Sequence, residues 1–388
     1  MFFLGKGFGM QRFKLKTDII FGDDALGALH DVEAASAVIF TDAFMVSSGT
    51  ADKVAAYLTG AKTVSIFDEV KPDPPVELIS AAVAFLMSHD ADVVVALGGG
   101  SAIDAAKSAL FIIREHYGKN IPLIAVPTTS GTGSEVTQFA VITDKAAGKK
   151  VPLVDEAMLP AEAILDAELV RSVPPAITAD TGFDVLTHAL EAYVSTNAND
   201  FSDALAEKAV ELVAENLVAA YKNGNDLHAR QKMHVASTLA GIAFNEASLG
   251  INHGIAHALG AHFHFPHGRA NAMILPHVLY YNAELDIKFT VKNDCKTADK
   301  LELLARRLGY PANSPDIGVR NMIQRIKEFQ RIMKIPLTLG EAGVTKKMYE
   351  EALDDIVESA LADTCTLTNP RKATYRDVQG ILEKIAKF

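Results

Sequence analysis

Histidine is concentrated in one stretch of this chain. Five of its twelve histidines lie within residues 253–267, namely His253, His257, His262, His264 and His267. A neutral imidazole is the commonest metal ligand in proteins, and its pKa lies near neutral pH. We therefore expect His253 and His267 to bind a metal and His257 to lie beside the reacting atoms, with His262 and His264 at the rim of the site.

A second pair of candidate ligands comes earlier in the chain. Asp184 and His188 stand four positions apart, so their side chains share one face of a helix. With His253 and His267 they would offer a metal one carboxylate and three imidazoles. This donor set has no thiolate and suits Fe²⁺ or Zn²⁺, and the sequence does not choose between them. For any one pair of these residues, the commoner explanation is a histidine hydrogen-bonded to its neighbour inside the core. All four candidate ligands together, in a chain with two nucleotide-type loops, favour a metal site.

Two glycine-rich loops each follow an apolar strand. The first separates a predicted strand (91–97) from a predicted helix (101–116) and comprises Gly98, Gly99, Gly100 and Ser101. Glycines at such a turn let backbone N–H groups approach a pyrophosphate at the start of the helix. Asp104 lies on the first turns of this helix. The alternative is a tight turn that binds nothing.

The second loop, residues 127–135, follows the next strand and is rich in hydroxyls and glycines. Two such loops at the carboxyl ends of neighbouring parallel strands predict a nucleotide site. Asp42 ends a third strand and can accept hydrogen bonds from an adenosine ribose. Its charge would repel a 2′-phosphate, which favours NAD over NADP. The alternative is that Asp42 only caps the following helix.

The elements that carry these residues fall into two halves. Predicted strands at 14–21, 36–42, 62–67, 91–97 and 121–126 alternate with helices, which indicates a parallel sheet covered on both faces. After residue 173 the pattern becomes helical, with helices at 178–195, 201–222, 229–244 and 249–263 and more from 297 onward. We predict an α/β nucleotide-binding domain over 1–173 and a helical metal-binding domain over 174–388, with the site in the cleft between them.

Composition excludes several classes of protein. The 388 residues carry a net charge of -11, which argues against a nucleic-acid partner. The two cysteines lie in unrelated contexts, so we expect no disulfide framework and a cytoplasmic location. No apolar run approaches the ~20 residues of a membrane span. Residues 1–11 are either a flexible extension or a mis-assigned start before Met10.

Four motifs, at residues 98–107, 127–135, 184–188 and 253–267, resemble those of the iron-containing (group III) alcohol dehydrogenase family. The resemblance extends from about residue 13 to the C-terminus. Residues 183–192, 200–209 and 369–371 are most similar to the propanol dehydrogenases of propanediol-utilising bacterial microcompartments.

The resemblance implies a dehydroquinate synthase-like fold, with a Rossmann-like parallel sheet followed by an all-α domain. The family's metal ligands correspond to Asp184, His188, His253 and His267. His257 corresponds to a histidine near the nicotinamide and substrate that is a candidate proton relay, and Phe244 to an aromatic residue of the alcohol pocket. The family's NAD contacts, with the rest of the first loop, give the set Asp42, Asp73, Gly98, Gly99, Gly100, Ser101, Asp104, Thr128, Thr129, Thr132, Lys150 and Leu169. Asp73 replaces an asparagine that some members carry, and Ala258 replaces a proline that is common after the second histidine of the motif. Neither change removes a metal ligand, so both put substrate fit in question rather than activity.

The activity implied is the NAD(H)-linked, iron-dependent interconversion of a short-chain primary alcohol, such as 1-propanol, and its aldehyde. Zinc is the alternative metal. The implied partners are further copies of this chain, in a homodimer or larger homo-oligomer, and microcompartment shell proteins. Two rival functions are a sister enzyme (a glycerol- or 1,2-propanediol-type dehydrogenase, or a dehydroquinate-synthase-like lyase) and a mainly structural component docked through residues 1–11.

Overall fold

The computed structural model describes residues 12–145, 149–286 and 295–388. The predicted N-terminal extension therefore lies outside the described residues. Eight strands are present in the described parts: β1 Asp18–Phe21, β2 Ala34–Asp42, β3 Ala61–Val70, β4 Val93–Gly98, β5 Leu123–Pro127, β6 Phe139–Asp144, β7 Lys149–Val154 and β8 Glu162–Leu165. Six of them form one parallel sheet in the order β1-β8-β5-β4-β2-β3, and β6 and β7 pair as an antiparallel hairpin.

The sheet is covered on both faces, as predicted. Its helices are α1 Ala43–Ser47, α2 Thr50–Tyr57, α3 Val76–Ser88 and α4 Gly100–Tyr117. Alternate residues of β4 point to opposite sides, so Val94 and Ala96 pack with α3 and α4 while Val95 and Leu97 pack with α2. All six residues of β4 are buried, which explains why the strand reads as a continuous apolar run.

One prediction about the sheet was wrong. The predicted strands ended with the one at 121–126, yet β6, β7 and β8 follow it. The position between β1 and β5 belongs to β8, a strand of four residues that pairs with both neighbours. So short a strand shows no period in the sequence. The predicted first strand was also too long, because only Asp18–Phe21 pairs in the sheet.

The rest of the chain is helical, as predicted. The helices are α5 Pro175–Val194, α6 Asp200–Lys222, α7 Leu227–Ala247, α8 Ile251–Phe263, α9 His267–Asn282, α10 Lys296–Arg307, α11 Pro315–Ile332, α12 Lys346–Ala362 and α13 Tyr375–Ile385. From Thr178 to Val194, every residue of α5 except Thr181 is buried. This helix therefore carries its polar side chains into the interior, where each needs a partner.

The two halves meet beside the second glycine-rich loop. Val136 and Ala163 from the sheet half pack against Ile242 of α7. The Thr238 hydroxyl of α7 donates to Glu135 Oε1 over 2.8 Å. The boundary at residues 173 and 174 stays a prediction. Among the described helices, none combines the length and apolar character needed to cross a membrane.

Candidate active site

Close packing of two helices brings the first pair of predicted ligands to a third. Asp184 and His188 lie on the buried helix α5, and His267 is the first residue of α9. A Cβ at Gly268 would come within 2.0 Å of the Asp180 carbonyl oxygen. Only glycine allows this approach, which places His267 Nε2 3.3 Å from Asp184 Oδ1.

The four predicted metal ligands form one cluster. The ligand atoms of Asp184, His188, His253 and His267 all lie within 4.8 Å of one another. The His188 and His253 rings stack at 4.7 Å, and the His253 and His267 rings lie 5.2 Å apart. Asp184, His188 and His253 are buried, while His267 is half-buried. One carboxylate and three imidazoles from three helices therefore converge at one place.

Beside the cluster lies a carboxylate, Glu191, whose role the sequence did not reveal. Glu191 Oε2 lies 2.5 Å from Nδ1 of His253, and Glu191 Oε1 accepts from the Asn252 backbone N–H over 2.6 Å. Burial raises the pKa of Glu191 to about 8, although backbone donors of α8 act in the opposite direction. A hydrogen bond through Nδ1 leaves Nε2 of His253 for the cluster. The sequence signal that could have identified Glu191 is its spacing, because Asp184, His188 and Glu191 share one helical face.

A buried amide marks the point where the donors converge. Asn271 lies one turn after His267, and its Nδ2 donates to Asp184 Oδ1 over 2.8 Å. The same nitrogen lies 3.2 Å from Nε2 of both His253 and His267. Asn252 holds the amide by donating to Asn271 Oδ1 over 2.8 Å. The ring nitrogens that face Asn271 are thus directed at a common centre.

The chemistry of these donors fits a divalent cation. Burial lowers the pKa of His188, lowers that of His253 well below its ordinary value, and lowers that of His267 to about 4 despite the nearby Asp184 charge. The three imidazoles are therefore neutral near pH 7, as metal ligands must be. Nδ1 of His188 is buried without a hydrogen bond of normal geometry. The set suits iron or zinc.

His257 and Phe244 both lie next to the cluster. His257 lies one turn beyond His253, with 44% of its side chain exposed and its ring 5.1 Å from that of His267. Phe244 is buried, with its ring stacked 4.6 Å from that of His188. A substrate at the cluster would therefore meet an apolar wall at Phe244 and a solvent-accessible imidazole at His257.

The two glycine-rich loops lie side by side at the same end of the sheet. Gly98 pairs with Pro127 in the register of β4 and β5, and the Thr128 N–H donates to the Gly98 carbonyl over 2.9 Å. A Cβ at Gly100 would lie only 2.8 Å from Cγ2 of Thr132. The residue before α4, Gly99, offers no capping side chain, so the first N–H groups of the helix remain available to a phosphate.

Two further predicted cofactor residues form an ion pair. Lys150 Nζ of β7 lies 2.7 Å from Asp73 Oδ1, and both side chains are exposed. The charge of Lys150 also acts on His267 and contributes to the lowered pKa of that histidine, after burial and the other groups of the cluster. The hairpin thus brings Lys150 to Asp73, and the charge of Lys150 reaches the metal cluster.

The other predicted cofactor residues have different surroundings. Asp42 Oδ1 accepts from the backbone N–H groups of Phe44 and Met45 over 2.9 and 3.0 Å, so the capping alternative is present in the structure. Ser101 is half-buried on the first turn of α4, Thr129 is half-buried in the second loop, and Leu169 is buried in the sheet core. A ribose contact at Asp42 stays a prediction.

Asp104 serves the second loop and the hairpin. Its Oδ1 accepts from Ser134 Oγ over 2.6 Å and its Oδ2 from the Val141 N–H over 3.0 Å. Lys107 Nζ, buried beneath, donates to Ser134 Oγ over 3.0 Å and to the Phe139 carbonyl over 2.9 Å. Burial lowers the pKa of Lys107 to about 8, against the effect of Asp104. Both side chains hold the loop in place, and direct contact of Asp104 with a cofactor stays a prediction.

Other histidines stand outside the cluster. His262 and His264 are exposed near the end of α8, and their position at the rim of the site stays a prediction. Among the described residues, neither belongs to a group of three or more possible metal ligands.

Comparisons with known proteins agree with this site. A family model described as iron-containing alcohol dehydrogenase matches residues 16–167, and the C-terminal model of the Fe-containing alcohol dehydrogenase family matches residues 178–386. The chain is 42% identical to a 1-propanol dehydrogenase of Citrobacter freundii, covering 97% of this chain and 100% of that protein.

Solved structures agree over the whole fold. A 1,3-propanediol oxidoreductase is 32% identical with a TM-score of 0.87, covering 97% of this chain and 100% of the other. A sulfoacetaldehyde reductase of Bifidobacterium kashiwanohense in complex with NAD⁺ is 30% identical with a TM-score of 0.85, covering 97% and 99%.

Proposed function

The chain belongs to the iron-containing alcohol dehydrogenase family, and we propose that it interconverts 1-propanol and propanal with NAD(H) and a bound ferrous ion. One observation carries the proposal: the ligand atoms of Asp184, His188, His253 and His267 lie within 4.8 Å of one another. The choice of propanol rests on the similarity to the 1-propanol dehydrogenase of Citrobacter freundii.

The residues of the chain divide the work between binding and chemistry. When bound, the metal supplies a Lewis acid for the substrate oxygen, and the nicotinamide supplies or accepts the hydride. Asp184, His188, His253 and His267 would hold the metal. Because the loops that carry Gly99 and Thr128 lie side by side, they would hold the pyrophosphate of the cofactor at the start of α4.

We assign the proton transfer to His257. In aldehyde reduction it gives a proton to the substrate oxygen, and in alcohol oxidation it takes one up. Its exposed side chain can exchange that proton with water. Phe244 would contact the alkyl chain, because its ring lies beside His188 on the buried side.

The test is purification without air, followed by measurement of iron and zinc per chain. NADH oxidation is then followed with propanal, acetaldehyde and lactaldehyde for the iron and zinc forms. We expect the iron form to reduce propanal with the highest kcat/KM. If no aldehyde oxidised NADH with either metal, the proposal would fail.

A diol-type enzyme is the second candidate, supported by the similarity to the 1,3-propanediol oxidoreductase. The apolar Phe244 wall disfavours a second hydroxyl, which would lose its hydrogen bonds there. We therefore expect propanal to exceed 3-hydroxypropanal in kcat/KM by about tenfold or more. The reverse preference would assign the enzyme to the diol type.

We also propose a homo-oligomer that resides in the cytoplasm and associates with microcompartment shell proteins. Support comes from the sequence motifs that resemble the microcompartment propanol dehydrogenases. Sedimentation gives the oligomeric state. Capture of shell proteins by the full chain, but not by a chain starting at Met10, would assign docking to the first residues.

A further inference from the structure

A short segment after α12 packs directly on the helix that carries His253 and His257. Asp363 precedes a 3-10 turn over Thr364–Thr368, and this turn lies against α8. A Cβ at Gly254 would come within 2.3 Å of Thr366 Oγ1 and 2.8 Å of the Ala360 carbonyl oxygen. The glycine between the two histidines therefore allows the segment to reach His257.

Both carboxylate oxygens of Asp363 are engaged. Oδ1 accepts from the backbone N–H of Cys365 over 2.8 Å, and Oδ2 lies 2.8 Å from Nδ1 of His257. Burial on its own raises the pKa of Asp363, but the hydrogen bonds from His257 and Cys365 hold it below its ordinary value. An anionic carboxylate fixed at one oxygen thus meets the imidazole with the other.

We propose that Asp363 is the positioning residue for His257, holding its imidazole with Nδ1–H directed at Oδ2 and leaving Nε2 to exchange the proton with the substrate. The inference rests on the proposed function. In aldehyde reduction the proton leaves Nε2 for the substrate oxygen, while Nδ1 keeps its proton and its bond to Asp363. Alcohol oxidation reverses the transfer, and the hydride is exchanged with the nicotinamide in both directions.

The same residues allow a second explanation. Ligand atoms of His257, Asp363 and Cys365 lie within 4.8 Å of one another and could surround a cation. However, burial, together with the charges of Asp363 and Glu191, raises the pKa of the Cys365 thiol far above its ordinary value. The hydrogen bonds of Asp363 to the His257 ring and from the Cys365 backbone N–H already account for the grouping. Positioning of the imidazole is therefore favoured.

The test is a double-mutant cycle with Asp363→Asn, His257→Ala and both together. Asparagine keeps an oxygen for the Cys365 N–H but loses the charge that fixes the imidazole. We expect Asp363→Asn to lower kcat by about ten- to a hundredfold, with KM for propanal, NADH affinity and iron per chain unchanged. In the His257→Ala background, the same change should cause no further loss, because Asp363 acts through that imidazole.

A purely structural role for Asp363 predicts a different result. Asp363→Asn would then lower kcat by the same factor in the wild-type and His257→Ala backgrounds, or reduce iron content or NADH affinity. Either result would overturn the proposal. Wild-type activity with Asp363→Asn would also overturn it and leave the proposed function intact. An inactive wild-type enzyme would instead refute the function.

Gly254→Ala provides an independent variant that changes no polar group. The added methyl pushes the segment away from α8, so kcat should fall as in Asp363→Asn and fall no further when the two are combined. Full activity in Gly254→Ala, with Asp363→Asn impaired, would show that contact with His257 is not required.

Cobalt distinguishes the cation alternative. The proposed metal cluster contains no sulfur, so Co²⁺ bound there gives no thiolate charge-transfer band. We expect no such band as iron-free protein is titrated with Co²⁺. A band that appears and is lost in Cys365→Ser would show that Asp363 serves a second cation site, and would overturn the proposal.

Discussion

We expect Glu191→Gln to weaken metal retention, although Glu191 is not one of the proposed metal ligands. The Glu191 side chain is 3% exposed and accepts from Nδ1 of His253 as well as from two backbone N–H groups of α8. A glutamine has one acceptor oxygen, so its NH₂ group would face a donor at His253 or at the start of α8. The imidazole then loses its hydrogen bond to a carboxylate oxygen, which directs Nε2 toward the cluster.

The magnitude follows from the type of contact. Loss of the outer hydrogen-bond partner of a metal-binding histidine typically weakens metal affinity by about 10–100-fold. This corresponds to about 1.4–2.7 kcal/mol of binding free energy. The assay is anaerobic: iron-loaded protein is mixed with excess chelator, and the rate of iron release is compared with the wild-type rate, alongside the equilibrium affinity for Fe²⁺.

A matched control separates this effect from loss of stability. Glu207 is also a largely buried carboxylate, 12% exposed, and accepts from the Tyr193 hydroxyl over 2.8 Å, but it lies on α6 outside the cluster. Glu207→Gln should lower the melting temperature without accelerating iron release. Wild-type iron release from Glu191→Gln would refute the role given to Glu191.

Three further predictions concern separate parts of the molecule. His267→Ala should abolish both iron retention and turnover; retained iron with full activity would remove His267 from the ligand set. Asp42→Asn keeps an oxygen that can cap α1 but loses the charge, so the ratio of NADPH to NADH activity should rise without loss of stability. Asp42→Gly should raise that ratio too. An unchanged ratio in both variants would refute the ribose contact. Burial and nearby lysines lower the pKa of His277 to about 4. In the unfolded state the pKa of a histidine is about 6.5, so between pH 6.5 and 4 the unfolded chain binds a proton at His277 that the folded chain does not. The free energy of unfolding should therefore fall more steeply over this range in wild type than in His277→Gln. Equal slopes in chemical denaturation would contradict this prediction.

Local patterns in the sequence predicted most elements of the fold. The helix expected over 101–116 is present as α4, Gly100–Tyr117, because the glycines before it and Gly118 after it define both ends. The strand β8 was missed because four residues carry no usable period. Its place between β1 and β5 depends on pairing with strands far away in the chain.

The site could be predicted in part for a similar reason. Spacing relates residues on one helix, so Asp184 with His188 and His253 with His257 were visible as pairs. The contact of Asp363 with His257 spans 106 positions and depends on Gly254 admitting a distant segment. No local sequence pattern indicates such a contact. Asp42 remained ambiguous because a carboxylate at a strand end suits both a ribose and a helix cap.

Anomalous diffraction at the iron edge, from crystals of iron-loaded protein grown without air, tests the central claim most directly. The proposed centre predicts one strong peak per chain, roughly 2.0–2.3 Å from the ligand atoms of Asp184, His188, His253 and His267. Iron located instead beside His257, Asp363 and Cys365, or found nowhere among the four predicted ligands, would contradict it.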